Sequence, residues 1–253
     1  MIVLGFDTST SATAVALRLA DGSSLQARDD PPSGAHPGHA TRLLPMADEL
    51  LARASIGWNA IERIAVGTGP GTFTGLRVGI ASARGLAQSL SADLVGISSL
   101  KALAHAALAA SSPTLDAPGA AILAVIDARR GEAFAAAYTR GEGGVPAELV
   151  EPAALPPQEL AAVAARAEQA AAAGTPLSWL AVGDGALRFV TQLESAQIAL
   201  APANSPLHRV DANAICELAI SATPGSLHEL APDYRRRPDA ELALAAAGTA
   251  PAT

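Results

Sequence analysis

A glycine-rich turn between a buried strand and a long helix is the feature that most constrains the fold of this chain. Ile64–Val66 have the apolar character of a short buried strand, and the turn after them contains three spaced glycines, Gly67, Gly69 and Gly71. Glycine permits tight turns and close backbone approach. A helix is predicted from about Gly75 to Leu90, with Thr74 as its N-cap. A strand, a turn and a helix in this order predict an α/β fold.

This glycine-rich turn has two interpretations. A turn at a helix N-terminus can cradle a phosphate, but neither the Walker pattern with its Gly-Lys-Ser/Thr nor the dinucleotide pattern Gly-x-Gly-x-x-Gly is present. Alternatively, the helix packs closely on a neighbour, because small residues recur every four positions at Gly75, Gly79, Ala83 and Ala87. Such a flat row lets another helix approach. The residues by themselves favour the packing interpretation.

The composition limits the setting in which the chain works. Half of the 253 residues are hydrophobic, and the net charge of -7 argues against a chain that grips nucleic acid alone. Arg235, Arg236 and Arg237 nevertheless form a local basic cluster. The one cysteine, Cys216, cannot form an internal disulfide, which suits a reducing compartment. No signal peptide or membrane-spanning run is predicted, so the sequence predicts a cytoplasmic protein that does not bind membranes.

The chain divides into two halves with one plan. Each half begins with an apolar strand that ends at an aspartate, Asp7 or Asp127, and continues with a hairpin and then helices. This duplication predicts two lobes, each a mixed sheet flanked by helices. We expect an N-terminal lobe over residues 1–112 and a C-terminal lobe over 119–235, whose last segment packs back on the first lobe. Residues 236–253 are rich in Ala, Pro and Thr and are predicted to be disordered.

Polar residues at the strand ends are candidates for a weak nucleotide site. They follow the first strand, the equivalent strand of the second half and a later strand, and comprise Asp7, Thr8, Ser9, Thr10, Asp127, Gly183 and Gly185. An aspartate with neighbouring hydroxyls can hold a metal-bound phosphate, but the same residues also form Asx and Ser/Thr turns. For Asp127 a solvated hairpin turn is favoured. His36 and His39 lack the spacing of helical metal ligands, so no metal site is predicted.

Six motifs lie along the chain, at segments 5–10, 39–46, 69–79, 126–132, 182–185 and 231–236, of which 69–79 (GPGTFTGLRVG) is the most specific. Together they resemble the TsaB family of bacterial tRNA threonylcarbamoyladenosine biosynthesis subunits, part of the glycoprotease-like ASKHA superfamily. The resemblance implies a two-lobed, actin-like ASKHA fold. It also implies a non-catalytic role beside the paralogue TsaD, which transfers a threonylcarbamoyl group to the adenosine next to the anticodon. The small ATPase TsaE joins the pair, tRNA is met through the complex, and a homodimer is an option for the isolated chain.

The resemblance also identifies what this chain lacks. TsaD carries two metal-binding histidines in an Asn-His-x-x-Gly-His motif, and Ser99 and Leu103 stand at the matching positions here. No catalytic residue and no metal ligand are therefore predicted. ASKHA enzymes have glycine turns at the phosphates, whereas Thr8 follows Asp7 and the segment 128–130 (ARR) follows Asp127. We expect no cofactor, with ATP bound at most weakly or shared with a partner. The alternative is an ATP-binding, kinase-like enzyme of the same fold.

Two helices are expected to dock TsaD, because in the family the matching helices pack on the partner's equivalent pair. They are the helix predicted from about Gly75 to Leu90 and the helix that contains Leu43. The contact residues predicted on them are His39, Leu43, Met46, Leu50, Gly75, Leu76, Gly79, Ile80 and Ala83. The alternative is that the small-residue row packs inside the chain's own core.

Overall fold

A computed structural model describes residues 1–32, 34–110, 115, 119–171 and 176–236. Except for Arg236, the tail predicted to be disordered lies outside the described residues, and so does Arg237 of the basic cluster. Most of the connection between the predicted lobes, residues 111–118, lies outside them as well.

The first half forms a mixed five-stranded sheet in the described part of the chain, with strand order β3-β2-β1-β4-β5. Strands β1 to β3 form an antiparallel meander, whereas β1, β4 and β5 run parallel. The strands are β1 (Val3–Asp7), β2 (Thr13–Arg18), β3 (Ser24–Asp29), β4 (Arg63–Gly69) and β5 (Asp93–Ser98). The helices are α1 (His39–Ala54), α2 (Phe73–Leu90) and α3 (Ser99–Ala109).

The second half repeats this plan, with strand order β10-β9-β6-β7-β8 among its described residues. Strands β6 to β8 again form an antiparallel meander, and β6, β9 and β10 run parallel. The strands are β6 (Ala120–Arg129), β7 (Glu132–Arg140), β8 (Pro146–Leu155), β9 (Ser178–Val182) and β10 (Ala199–Leu200). The helices are α4 (Leu160–Ala170), α5 (Asp184–Arg188), α6 (Val190–Ser195) and α7 (Ala212–Ser221). The predicted duplication of mixed sheets is confirmed.

Three apolar clusters hold the layers together. Helices α1 and α2 cover one face of the first sheet, while α3 and α7 lie between the two sheets. Helix α4 covers the outer face of the second sheet with α5 and α6. Cys216 on α7 is fully buried against the first sheet, and its burial raises the pKa of the thiol to about 12. This cysteine is therefore a core residue.

The chain after α7 crosses the first lobe and reaches the second. Its backbone bonds to two parallel strands, with Gly225 N donating to Leu94 O at 2.9 Å and Asp233 N donating to Thr68 O at 2.8 Å. Arg236 then donates to the carbonyl of Ala128 on β6 at 2.8 Å. We call residues 225–236 the C-terminal segment. Across the described residues, none of the helices combines the length and apolarity needed to cross a bilayer.

Candidate functional site

The polar side chains at the end of β1 and in the turn after it are buried and hydrogen-bonded within the chain. The carboxylate of Asp7 is 1 % exposed and accepts hydrogen bonds from Ser9 N at 2.8 Å, Ser9 Oγ at 2.7 Å and Ser99 Oγ at 2.7 Å. A Cβ at Gly67 would lie 1.9 Å from Asp7 Oδ2, so this glycine makes room for the carboxylate. Thr8 and Ser9 are fully buried. These contacts are those of an Asx turn, which places the carboxylate where a bound phosphate cannot reach it.

The glycine row of α2 packs against this same turn. Thr8 Oγ1 donates to the carbonyl of Gly75 at 2.7 Å. A Cβ at Gly75 would lie 1.9 Å from Thr8 O, and one at Gly79 would lie 2.4 Å from Thr8 Oγ1. Both positions must therefore be glycine for α2 to lie against the first strand. Helix α2 also begins at Phe73, two residues before the predicted start, and Thr72 N donates to Ser9 O at 2.7 Å.

The predicted contact residues lie in the interior of the isolated chain, as Gly75 and Gly79 do against Thr8. The other seven are also in the interior, at no more than 4 % exposure: His39, Leu43, Met46, Leu50, Leu76, Ile80 and Ala83. Five of them fill the space between α1, α2 and the first sheet as part of the apolar stripe of each helix: Leu43, Met46, Leu50, Ile80 and Ala83. A partner that approaches these helices meets other residues first. That the two helices dock TsaD stays a prediction.

Buried His39 has an unusual environment at the start of α1. Its Nδ1 lies 2.9 Å from Thr13 Oγ1, whereas Nε2 has no hydrogen-bond partner among the described residues. Burial lowers the pKa of the imidazole below its ordinary value, although the nearby charge of Asp7 opposes this shift. The ring is therefore held neutral, as a core histidine.

The outward face of the same two helices is the surface that the sequence-based choice of residues missed. On α2 it contains Arg77, Ala81 and Gly85, and on α1 it contains Leu44, which is 45 % exposed. Residues 77, 81 and 85 recur every four positions and form a second row on α2. A Cβ at Gly85 would meet no atom within 4 Å. Gly85, a glycine inside a helix that no contact in the described chain explains, is the feature that could have pointed to this face.

The glycines at the start of α5 are explained by packing on β6. Gly183 has φ +100°, and a Cβ there would lie 2.0 Å from Val125 O. A Cβ at Gly185 would lie 2.8 Å from the carbonyl carbon of Ile126. Both glycines thus let α5 approach the strand closely. Their part in a nucleotide site stays a prediction.

The second aspartate, Asp127, takes part in a local charge network. Its carboxylate lies 3.4 Å from Arg129 Nη1 and 3.6 Å from Arg188 Nε, with 7 % of the side chain exposed. Its backbone N–H donates to Asp184 Oδ1 at 3.1 Å. Burial raises the pKa of Asp184, and the Asp127 charge adds to this effect. Asp127 thus lies within β6, paired with Ala133, and its side chain is largely buried, so the solvated hairpin turn favoured from the sequence is wrong. Its part in a nucleotide site stays a prediction.

One cavity between the lobes is small, whereas a second one, lined in part by Asp127, measures about 390 Å³. The small cavity, of about 220 Å³, is lined among others by Thr10, Arg28, Asp184 and His208. Cavities that hold cofactors and drug-sized ligands usually measure about 300–1,000 Å³. Of the predicted nucleotide-site residues Thr10 lines this cavity, whereas Asp7, Thr8 and Ser9 are turned inward. The residues present do not fit an ATP site of the kind that the fold implies.

The positions that match the metal ligands of TsaD are occupied by structural contacts. Ser99 directs its hydroxyl to Asp7, and the side chain of Leu103 is 1 % exposed in the apolar cluster between the sheets. In the ranges that the structure describes, no group of three or more His, Cys, Asp or Glu side chains is arranged to hold a metal ion. The chain's own residues do not fit the metal that the family implies.

Two lobes built on one strand plan, joined across a narrow cleft, define an α/β protein of the ASKHA type. The chain belongs to the TsaD family, because the family model described as tRNA N6-adenosine threonylcarbamoyltransferase matches residues 31–222. The predicted fold class is confirmed by the two mixed sheets and by similarity to a solved structure. That structure is YeaZ from Pseudomonas aeruginosa, with a TM-score of 0.70 and 28% identity over 92% of this chain and 99% of that one.

Curated relatives agree with the resemblance found in the sequence. The tRNA threonylcarbamoyladenosine biosynthesis protein TsaB of Escherichia coli (strain K12) is 35% identical over 57% of this chain and 58% of the relative. The TsaB protein of Haemophilus influenzae is 38% identical over 53% of this chain and 52% of the relative. The chain thus matches between half and three fifths of the length of these two relatives. The recognition of TsaB-like sequence is confirmed.

Proposed function

We propose that this chain is a non-catalytic subunit of tRNA threonylcarbamoyladenosine biosynthesis that binds TsaD through the exposed face of α1 and α2. The similarity to the TsaB proteins of E. coli and H. influenzae supports the pathway. Membership of the TsaD family supports a partner of related fold. TsaE joins the pair in the same proposal, tRNA is met through the complex, and the cytoplasm is the predicted location.

The outward row of α2 is the observation that carries the proposal. Gly85 contacts nothing in the described chain within 4 Å of its missing Cβ, and Ala81 one turn earlier is exposed. A glycine in a helix interior costs about 1 kcal/mol relative to alanine, and no internal contact offsets that cost here. A partner helix that packs on a flat row offsets it, because small residues permit close approach. Exposed Leu44 on the neighbouring α1 adds an apolar contact.

The rival functions have less support. An ATP-binding, kinase-like enzyme of this fold needs a phosphate site at the end of the first strand, and neither the buried carboxylate of Asp7 nor the cavity of about 220 Å³ supplies one. The isolated protein has the option of forming a homodimer through the same two helices. In the proposal this homodimer uses the docking face, so TsaD displaces the second copy when it binds.

Reconstitution tests the proposal. The modification of tRNA by purified TsaD and TsaE is measured with and without this chain, and we expect it to require the chain. The chain alone should neither modify tRNA nor hydrolyse ATP. Ala81→Arg on the docking face should abolish most of the stimulation, because a long charged side chain holds the partner helix away. Ala165→Arg on the exposed face of α4 is the matched control and should stimulate normally. Equal modification without the chain, or full stimulation by Ala81→Arg, contradicts the proposal.

A further inference from the structure

A second cavity, of about 390 Å³, opens beside the start of α2. Its wall combines the start of α2, the hairpin between β6 and β7, and the C-terminal segment. The residues that give it its chemistry are Phe73, Phe134, Tyr234, Arg129, Arg130 and Arg235. The proposed function makes no use of this cavity, which we call the arginine–aromatic pocket.

Two exposed aromatic rings form one side of the pocket. Aromatic residues make up only 3% of the sequence, yet Phe73 and Tyr234 are 36% and 42% exposed and lie with ring centroids 5.2 Å apart. The guanidinium carbon of Arg77 lies 3.7 Å from the centroid of the Phe73 ring, and Arg77 Nε donates to Tyr234 Oη at 3.0 Å. The rings are therefore fixed in place with part of their apolar surface in solvent. Nucleic-acid bases stack on such surfaces.

Arginines at the hairpin tip form the opposite side. Arg129 and Arg130 have φ values of +64° and +51°, ahead of Gly131 at +79°. Left-handed backbone is uncommon for residues other than glycine and asparagine, and costs free energy. Glycine at these two positions would adopt the left-handed backbone at a lower cost in free energy. The shape of the turn therefore does not explain why both positions carry arginine. Both side chains project into the exposed surface at the pocket.

Ion pairs hold part of this basic surface in position. Arg235 Nε donates to Asp233 Oδ1 at 2.6 Å, and Arg236 Nε lies 3.1 Å from Glu132 Oε2. Counting Arg77, five of the chain's 17 basic residues surround the pocket, in a chain with a net charge of -7. The acidic groups that line or pair with this surface are Asp127, Asp233, Glu132 and Glu151. With five arginines against four carboxylates, the surface carries a small net positive charge on an acidic molecule.

We propose that the arginine–aromatic pocket binds an unpaired nucleotide of an RNA strand. The base lies against Phe73 and Tyr234, and the flanking phosphates lie at Arg129 and Arg130. Unpaired bases with their backbone phosphates match a surface of rings beside arginines, whereas an acidic peptide would leave the rings uncovered. This inference rests on the proposed function, which supplies tRNA as the RNA. It assigns this chain a direct contact that the docking of TsaD does not require.

Binding of a short RNA hairpin with an unpaired loop tests the proposal, measured by fluorescence anisotropy at low and moderate salt. The full chain is used alone, where weak binding is expected, and together with TsaD. Arg130→Gly removes one charge and suits the left-handed backbone, and thermal unfolding of the variant verifies that it is folded. The affinity of this variant for the hairpin should drop several-fold. The slope of log affinity against log salt concentration should decrease by about one, because one phosphate contact is lost. Arg166→Ala on α4 removes an exposed charge elsewhere and should bind as the wild type does.

Substitution of Tyr234 tests the stacking half of the pocket. Tyr234→Ala should weaken RNA binding by about 5- to 150-fold, the usual effect of losing one stacked base. Tyr234→Phe keeps the ring, loses the hydrogen bond to Arg77, and should bind nearly as tightly as the wild type. A fully paired RNA without a loop should bind weakly to all variants. AMP should compete poorly, because it lacks the neighbouring phosphates.

Several results would overturn the inference. One is wild-type RNA affinity in both Arg130→Gly and Tyr234→Ala. Another is competition by AMP at the strength of the hairpin, which identifies a mononucleotide site. A third is loss of TsaD binding with RNA binding intact, which identifies a protein contact. The proposed function is judged separately: a chain whose RNA affinity follows these variants, but which TsaD does not need, contradicts only that function.

Discussion

Glycines on the two faces of helix α2 have opposite surroundings. Gly75 and Gly79 face inward, where an added Cβ would collide with Thr8. Gly85 faces outward, where an added Cβ would meet nothing within 4 Å. The inward glycines are explained by the chain's own packing, whereas the outward one is not. Glycine spacing on a helix therefore indicates close approach without saying which partner approaches.

The largest effect is expected at the inward row. Gly79→Leu forces a side chain into Thr8 Oγ1, which would lie 2.4 Å from the new Cβ. Overpacking costs about 1–3 kcal/mol and occasionally more, and the upper end is expected because the obstacle belongs to a fully buried turn. For a chain of this size the melting temperature should fall by roughly 6–12 °C. Thermal unfolding of the isolated chain measures this fall, with Ala81→Leu on the outward face as the matched control. A melting temperature of Gly79→Leu equal to that of the wild type would contradict the difference between the inward and outward glycines of α2.

The pH dependence of stability tests the interior beneath α1. The pKa of His39 is lowered in the folded chain, so the unfolded chain binds this proton more readily. Neutral His39 contributes fully to the free energy of unfolding above its pKa in the unfolded chain, about 6.5. This contribution is lost as the pH falls below that value. His39→Gln should therefore reduce the loss between pH 7.5 and 5.5, by at most about 1.4 kcal/mol per pH unit.

Denaturant unfolding of both proteins at each pH measures this difference, since all other titrating groups are common to them. Parallel curves for His39→Gln and the wild type would show that the ring is not held neutral. His36→Gln in the exposed loop before α1 is the control, and its curve should follow the wild type.

Sequence reasoning predicted the repeated plan but not the direction of the glycine row. Alternating apolar strands and helices define the two sheets through local pattern, although β6 continues past the predicted end at Asp127 to Arg129. The packing of Gly79 on Thr8 joins residues far apart in the chain, so no local pattern reveals it. The same holds for the hydrogen bond from Ser99 to Asp7. Helix α2 begins earlier than predicted because Thr72 bonds to the distant Ser9.

The smallest effect is expected at the outward row. Gly85→Ala should stabilise the isolated chain by up to about 1 kcal/mol, because alanine has the higher helix propensity and nothing obstructs its Cβ. Affinity for TsaD should change little, since alanine keeps the row flat. Unfolding by denaturant measures the gain. A loss of stability would mean that Gly85 has a packing role like that of Gly79.

Calorimetric titration of TsaD with the Gly85→Arg variant tests the central claim most directly. The exposed position should accept arginine without loss of the fold, so the melting temperature should stay near that of the wild type. If the outward row of α2 packs on TsaD, affinity should fall by about 5- to 150-fold, the effect of overpacking a close contact by about 1–3 kcal/mol. Wild-type affinity in a folded Gly85→Arg chain would contradict the account and place the TsaD contact elsewhere on the molecule.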